Sequence, residues 1–227
     1  MPKSNRISLT TLCRYYHDTS WQVLLHICIR YLTCPFKKML TFAPTAGDIL
    51  ELGCGHGVFC TLLAVTDSKR KVIGIDIDSA KIAAAESVAR SIQGNGSHVS
   101  FYCVQPGQLP EGLFDAIFVV DVLYLMDEST QYNTLGQLLG KLKPGGKLLV
   151  KEMATKPWIK FVWCKMQESL SVKTFKITAW QKQLPRFHFI PLEKMALWFK
   201  ERGFTVQSVP LDKGYLHPHH LLVIEKI

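Results

Sequence analysis

Several features that mark special classes of protein are missing from this sequence of 227 residues. No apolar run approaches the roughly 20 residues of a membrane-spanning helix. The longest run, from Trp21 to Ile29, is interrupted by Gln22 and His26. The first residues lack the apolar core of a signal peptide, and we find neither an internal repeat nor a low-complexity tract. A membrane-spanning, secreted or repeat protein is therefore not expected.

The cysteines form no recognisable pattern. There are seven, an odd number, and no Cys-x-x-Cys pair occurs among them. This arrangement favours neither a zinc site nor a disulfide framework. We therefore expect no bound metal and a reducing, cytoplasmic location.

The charge of the chain is unevenly spread. Apolar residues make up 48% and charged residues 20% of the sequence, which is typical of a folded globular protein. The net charge of +9 is concentrated in residues 1–46, which carry +5, and in residues 153–190, which carry +6. Residues 47–152 carry −3. Two separate segments thus supply the positive charge on either side of an acidic centre.

The central part of the sequence alternates between strand and helix patterns. Strands are predicted over residues 48–52, 71–76, 98–104, 114–121 and 147–152. Helices are predicted over residues 57–66, 80–92, 130–142 and 191–202. Ser79 is predicted to cap the second of these helices, and Pro144-Gly145-Gly146 to end the third. The alternation predicts a parallel, doubly wound α/β sheet, followed by a strand pair over residues 204–211 and 220–226.

A glycine-rich turn follows the first predicted strand. The run from Glu51 to Gly57, ELGCGHG, has glycine at every second position, which lets backbone N–H groups and a helix N-terminus approach a ligand. This spacing differs from the GxGxxG of dinucleotide-binding proteins. Asp76 ends the second strand, where a carboxylate can bind ribose hydroxyls. Because Glu51 and Asp76 would repel a pyrophosphate, a ligand with a sulfonium and an ammonium suits the site better.

Four motifs in order resemble those of class I S-adenosylmethionine-dependent methyltransferases: ELGCGHG, GIDID, FDAIFVVDVLYLMD and LKPGGKLLVKE. The resemblance covers residues 47–152 and the C-terminal strand pair. It implies a Rossmann-like α/β fold with a seven-stranded sheet of order 3-2-1-4-5-7-6, the last strand antiparallel. Residues 1–46 would form an N-terminal helical cap and residues 47–227 the methyltransferase domain. Residues 154–190 would be a basic, aromatic, helical lid insertion.

The resemblance also implies which residues hold S-adenosyl-L-methionine. Glu51 would face the amino group of its methionine part, and Asp76 would accept both ribose hydroxyls. Ile77 would pack on the adenine, which Gln105 would contact in place of the family's acidic residue. The implied cofactor-binding set is Glu51, Gly53, Cys54, Gly55, Gly57, Asp76, Ile77, Gln105 and Asp121.

Methyl transfer from a sulfonium mainly requires that the acceptor is held in line and that water is excluded. A base is needed only where the acceptor must lose a proton. Asp121, Tyr124 and His217 are the candidate catalytic residues. The further candidate bases are His188, His219 and His220.

Two segments outside the alternating core are expected to border the acceptor site. In the cap, an aromatic group would either cover the cofactor or simply pack a helix; it consists of Tyr15, Tyr16, His17 and Trp21. Residues 154–190 interleave seven basic with seven aromatic residues. That composition suits an anionic membrane surface or an anionic, lipophilic acceptor, or else an inert lid with a solvated lysine face.

We therefore predict a methyltransferase that acts on oxygen or carbon of a small or lipid-like organic acceptor, anionic acceptors included. It would be cytoplasmic, and peripheral contact of the basic segment with the inner face of the membrane stays open. A methyltransferase acting on RNA or protein and a non-catalytic S-adenosylmethionine-binding module stay open as alternatives. Nucleic acid is less favoured, because no added RNA-binding module is evident. The sequence does not determine an oligomeric state.

Overall fold

The computed structural model describes residues 7–94, 96–153, 187–215 and 219–225. Its strands are β1 Gly47–Leu52, β2 Arg70–Asp76, β3 His98–Cys103, β4 Phe114–Val120, β5 Leu142–Met153, β6 Thr205–Pro210 and β7 His219–Glu225. Its helices are α1 Leu9–Tyr15, α2 Trp21–Thr33, α3 Phe36–Met39, α4 Val58–Thr66, α5 Ser79–Gln93, α6 Glu128–Gly140 and α7 Leu192–Lys200. Short 3-10 turns span Leu40–Phe42 and Leu123–Leu125.

The seven strands form one sheet in the order β3-β2-β1-β4-β5-β7-β6. β2 pairs in parallel with both β1 and β3. β7 runs antiparallel to both β5 and β6. The predicted strand order and the antiparallel last strand are therefore confirmed. Because β1 and β2 are parallel, their carboxyl ends, at Leu52 and Asp76, meet at the same edge of the sheet.

The chain divides into two compact units, the first ending at Phe118 and the second beginning at Val119. The boundary falls inside β4, the central strand of the doubly wound pattern. The division into a cap of residues 1–46 and a methyltransferase domain of residues 47–227 stays a prediction.

The core of the first unit lies directly behind the glycine-rich turn. Every residue from Val58 to Ala64 is buried, so α4 enters the core from its first residue. Phe59 packs edge-on against Phe118 and stacks on Phe36 of the cap, with ring centroids 4.9 and 5.4 Å apart. The turn is consequently anchored by a helix whose first seven residues are buried on all sides.

The core of the second unit lies between β5, β7 and their helices. Leu148 to Val150 of β5 are buried, as are Leu221 to Ile224 of β7. Phe199 of α7 and Leu135 of α6 are fully buried as well. The strand β5 then continues into two buried charged residues at its carboxyl end.

Two predicted helix boundaries are wrong. Asp78, not Ser79, caps α5, because its Oδ1 accepts the N–H groups of Ala80 and Lys81 at 3.1 and 3.3 Å. The sequence Pro144-Gly145-Gly146 does not end α6. That helix ends at Gly140, and the backbone becomes extended at Leu142, so the three residues lie inside β5.

Within the described ranges, no helix has both the length and the hydropathy that a bilayer span requires.

The left-handed backbone of Gly57 generates a testable prediction. Gly57 has a φ of +76°, and an added Cβ would lie 2.5 Å from Cζ of Phe101 and 3.0 Å from Cβ of Ala85. Gly57→Ala should lower the free energy of unfolding by roughly 3 kcal/mol, through backbone strain and overpacking. Denaturant unfolding followed by circular dichroism measures this change.

Gly136→Ala is the matched control. Gly136 lies in the exposed interior of α6, and no described atom comes within 4 Å of its added Cβ. This substitution should raise the free energy of unfolding by roughly 0.5–1 kcal/mol. If both variants unfolded at the same denaturant concentration, the conformational role given to Gly57 would be wrong.

Candidate functional site

The glycine-rich turn has the geometry that its sequence predicts. Gly53, Gly55 and Gly57 all have positive φ angles, between +54° and +76°. The N–H groups of Gly53 and Cys54 donate to the carbonyl of Ile75 at 2.8 and 3.0 Å, which ties the turn to the end of β2. An added Cβ on Gly55 would meet no described atom within 4 Å. A ligand can therefore come into contact with the backbone at Gly55.

Asp76 fixes this turn as well as presenting a carboxylate. Its Oδ2 accepts the N–H of Gly55 at 2.8 Å, and its Oδ1 accepts the N–H of Asp78 at 2.9 Å. A carboxylate has about four acceptor positions, so Asp76 keeps the capacity to accept hydroxyl groups. The bond to Gly55 was not anticipated from the sequence, which only places Asp76 at a strand end.

Glu51 is buried at the end of β1. The thiol of Cys60 in α4 donates to its Oε2 at 2.8 Å. Burial raises the pKa of Glu51 to about 7, against the opposing effect of this hydrogen bond. Sequence reasoning missed Cys60, because a cysteine in an apolar helix is ordinarily a packing residue.

The cap reaches the glycine turn through Tyr16. This side chain is fully buried, and its hydroxyl donates to the carbonyl of His56 at 2.9 Å. Burial raises the pKa of Tyr16 well above its usual range, so the hydroxyl remains a donor. Of the cap residues predicted either to cover the cofactor or to pack a helix, Tyr16 contacts the turn, whereas Trp21 is exposed and His17 forms an exposed pair with Asp18.

Two histidines make a second contact between the cap and the turn. The rings of His26 in α2 and His56 lie 5.1 Å apart. Burial, together with nearby positive charge, lowers the pKa of both His26 and His56 to about 4. Both rings are therefore neutral at physiological pH. Nothing in the sequence signals this pairing, because the two residues are far apart along the chain.

The remaining predicted cofactor residues of the first unit lie close to Asp76. The N–H of Val104 donates to the backbone carbonyl of Asp76 at 3.0 Å, which brings Gln105 near the end of β2. Ile77 and Gln105 are both exposed. Cys54 is buried, as expected of a small packing residue inside the turn.

In the second unit, Asp121 is held by an ion pair at the end of β4. The ammonium of Lys151 donates to both carboxylate oxygens, at 2.5 and 2.6 Å, and both side chains are almost fully buried. The N–H of Asp121 also donates to the carbonyl of Lys151 at 3.0 Å. Among the described residues, Asp121 is the one non-glycine residue with a positive φ, +53°.

The ion pair changes what Asp121 can do. Both oxygens of the Asp121 carboxylate accept hydrogen bonds from the ammonium of Lys151, so they are already engaged within the chain. This arrangement favours a role for Asp121 in orienting neighbouring groups over a role in removing a proton. Sequence reasoning missed Lys151, although a lysine after the apolar run Leu148 to Val150 is a signal that could have found it.

Glu152, the next residue of β5, holds the segment that follows Asp121. It is buried, and its Oε1 accepts the N–H of Leu123 at 3.1 Å. Its partner across the strand pair β5–β7 is His220. Side chains alternate along a strand, so Lys151 and Glu152 act from opposite faces of β5. Together, the hydrogen bonds of these two side chains fix the backbone conformation from Asp121 to Leu123.

Tyr124 belongs to an aromatic cluster. Its ring stacks on Phe189 at 5.2 Å and lies edge-on to Phe187 at 5.6 Å. The N–H of His188 donates to the carbonyl of Tyr124 at 2.8 Å, and Gln131 Nε2 donates to the carbonyl of His188 at 2.7 Å. Residues 187–190, the last of the predicted lid, are thereby attached to the turn that follows Asp121.

The candidate bases occupy different places. The side chain of His188 is exposed, His219 is buried, and His220 is half-buried beside Glu152. His217 and residues 154–186 of the predicted lid lie outside the described residues. The first unit thus brings Glu51, the glycine turn and Asp76 together, and the second unit brings Asp121 together with Tyr124. That all of them serve one site stays a prediction.

Comparison with known proteins identifies what this arrangement resembles. The family model described as "Methyltransferase domain" matches residues 13–209. A trans-aconitate 2-methyltransferase from Paracidovorax citrulli is 28% identical over 126 residues, which are 52% of this chain and 44% of that protein. The chain therefore spans less than half the length of this curated relative.

Two solved structures share the fold. The magnesium protoporphyrin IX methyltransferase of Synechocystis PCC 6803, with bound SAH, superposes with a TM-score of 0.67 at 17% identity, over 94% of this chain and 92% of that one. An O-methyltransferase family protein from Burkholderia thailandensis superposes with a TM-score of 0.68 at 17% identity, over 99% of this chain and 65% of that one.

The buried carboxyl of Glu51 predicts an unusual dependence of stability on pH. Its pKa is about 7 in the folded protein, against about 4.5 ordinarily. Between these values the folded state binds more protons than the unfolded state, so this group lowers stability as the pH rises. Glu51→Gln keeps the acceptor for Cys60 and removes the ionisation. It should be more stable than the parent by about 2–3 kcal/mol at pH 8, and nearly equal to it near pH 4.5.

Denaturant unfolding of both proteins over this pH range is the measurement. His26 and His56 titrate with the opposite sign, because their lowered pKa values favour the unfolded state in acid. They are present in both proteins, so their contribution cancels in the difference. A stability difference that did not change with pH would contradict the burial of an ionisable Glu51.

Proposed function

The chain belongs to the methyltransferase domain family, the class I S-adenosylmethionine-dependent methyltransferases, and we propose that it transfers a methyl group from S-adenosyl-L-methionine to a small or lipid-like organic acceptor. Oxygen or carbon of the acceptor, anionic acceptors included, would receive the methyl group. The observation that carries the proposal is the buried Glu51 at the end of β1, beside a left-handed glycine turn that Asp76 holds through Gly55.

The residues of the first unit fit this cofactor chemically. The carboxylates of Glu51 and Asp76 complement a cationic ligand and would repel a phosphate. Asp76 retains acceptor positions for a pair of ribose hydroxyls. The open side of Gly55 leaves room for close approach of a ligand to the backbone. Ile77, exposed next to Asp76, supplies an apolar side chain for a planar base.

When bound, S-adenosyl-L-methionine supplies a sulfonium methyl group with a neutral thioether as leaving group. The task of the chain is then to orient both partners and to exclude water. Glu51 binds the ammonium in its ionised form, which requires loss of its proton. Tyr16 fixes the turn through the carbonyl of His56. Asp121, neutralised by Lys151, orients the start of the segment that carries Tyr124.

The aromatic cluster of the second unit supports an apolar or planar acceptor. Its three ring centroids, those of Tyr124, Phe187 and Phe189, lie between 5.2 and 6.2 Å from one another. Two of the similar proteins are named for methyl transfer to trans-aconitate and to magnesium protoporphyrin IX, which supports a small-molecule acceptor over RNA or protein. His188, whose backbone is fixed to Tyr124, is the candidate base of this cluster when the acceptor must lose a proton.

The donor site is tested by calorimetry with S-adenosyl-L-methionine. Asp76→Ala removes the acceptor of the ribose hydroxyls and of the Gly55 N–H, and should weaken binding roughly tenfold to a hundredfold. Glu86→Ala, which removes an exposed carboxylate of α5, is the matched control and should bind as the parent does. Equal affinity of all three proteins would count against the donor site.

The acceptor is found by incubating the protein with tritiated donor and with membrane, RNA, protein and metabolite fractions of the source cell. Label in an organic extract or in lipids is the expected result. Label in RNA or protein would favour the macromolecular alternative. Donor binding with no transfer to any fraction would favour a non-catalytic binding module.

The segment 154–190 supplies the proposed contact with an anionic acceptor or membrane surface. Its net charge and interleaved aromatic residues support this role. Reversing the charge at Lys156, Lys160 and Lys165 should reduce turnover of an acidic acceptor or binding to anionic vesicles. If neither quantity changed, the segment would be an inert lid.

A further inference from the structure

The second helix of the cap exposes a continuous apolar face, here called the α2 face. Its members, with their exposed fractions, are Trp21 at 68%, Leu25 at 42%, Ile29 at 50% and Leu32 at 62%. Spaced four, four and three residues apart, they fall within an arc of about 80° around the helix. Ile27 and Tyr31, which are buried, lie on the opposite side. Among the described residues, packing therefore covers one apolar side of α2 and leaves the other exposed.

Residues 1–46, to which α2 belongs, carry charge of one dominant sign. Residues 1–46 contain six basic residues and a single acidic one, Asp18. Arg14 in α1 and Lys37 in α3 are exposed, and the ammonium of Lys37 lies 5.3 Å from the ring centroid of Tyr31. Asp18 is exposed, and its Oδ1 lies 3.0 Å from Nε2 of His17. The α2 face thus belongs to a strongly cationic segment of the sequence.

We propose that the α2 face binds the surface of an anionic phospholipid bilayer, with α2 lying in the plane of the interface. An amphipathic helix with tryptophan and leucine on one side and cations nearby is suited to the boundary between headgroups and acyl chains. The helix is about 20 Å long, too short to span a bilayer. Trp21, at its first position, has the side chain most favoured at that boundary.

A second copy of the chain is a poorer occupant of the α2 face. Apposition of two such faces would bring two caps together, each with a net charge of +5. That repulsion opposes association, whereas the same charge attracts an anionic surface. Binding of the α2 face to a bilayer depends on the structure of the cap and is independent of the proposed methyl transfer. It also concerns residues different from those of segment 154–190.

The test is flotation of the full chain with vesicles of phosphatidylcholine alone and of phosphatidylcholine mixed with phosphatidylglycerol. The parent should bind the mixed vesicles in preference. Leu25→Ser and Leu32→Ser should each weaken that binding roughly tenfold. Leu197→Ser, which removes a leucine of 56% exposure from α7, is the matched control and should leave binding unchanged. Arg14→Glu with Lys37→Glu should reduce the preference for the anionic lipid, without removing the part that segment 154–190 contributes.

Four outcomes would overturn the proposal. They are unchanged vesicle binding in the two leucine variants, equal binding to both kinds of vesicle, a change of oligomeric state in the leucine variants, and a large loss of their unfolding free energy. The third would assign the face to a second copy, and the fourth to contacts within the chain. The same variants are also tested for binding of S-adenosyl-L-methionine by calorimetry. The proposed function predicts that they bind this donor as the parent does, so its failure can be distinguished from a failure of vesicle binding.

Discussion

The turn between β1 and α4 is held in place by hydrogen bonds to two residues at the end of β2 and to one residue of the cap, and the rest of the candidate site depends on that restraint. The carbonyl of Ile75 accepts two N–H groups of the turn, Asp76 accepts the N–H of Gly55, and Tyr16 donates to the carbonyl of His56. Three left-handed glycines allow the backbone to follow this path. Because the turn is held before any ligand arrives, little conformational entropy remains to be lost when one binds.

Glu51 in the first unit and Asp121 in the second both have buried carboxyl groups, and the two groups are accommodated differently. Glu51 has a thiol as its partner, and burial raises its pKa so that it ionises only near neutrality. Asp121 has a lysine as its partner and sits in an ion pair closed by two short contacts. Charge in an apolar interior is costly unless it is compensated. A neutralised Asp121 can stabilise a local conformation, whereas Glu51 can respond to a positively charged ligand.

The fold could be predicted well because its signals are local and repeated. Apolar strand patterns end at Leu52, Asp76 and the region of Asp121, and the helices between them have ordinary periodicity. Helix boundaries were predicted less accurately than the helices themselves. The choice between Asp78 and Ser79 as the cap of α5 depends on which side chain reaches the free N–H groups. Pro144-Gly145-Gly146 reads as a helix stop by composition, yet the helix had already ended at Gly140.

The amino-acid sequence alone determined the order of the strands along the chain, the glycine turn and the acidic residues at the strand ends. These features depend on residues that are close together in the sequence. Folding alone decided the partners of those residues: Cys60 for Glu51, Lys151 for Asp121, and His26 for His56. It also decided that one apolar side of α2 is buried and the other exposed. Helical periodicity shows that a side is apolar, but only the packing of distant segments determines whether that side is covered.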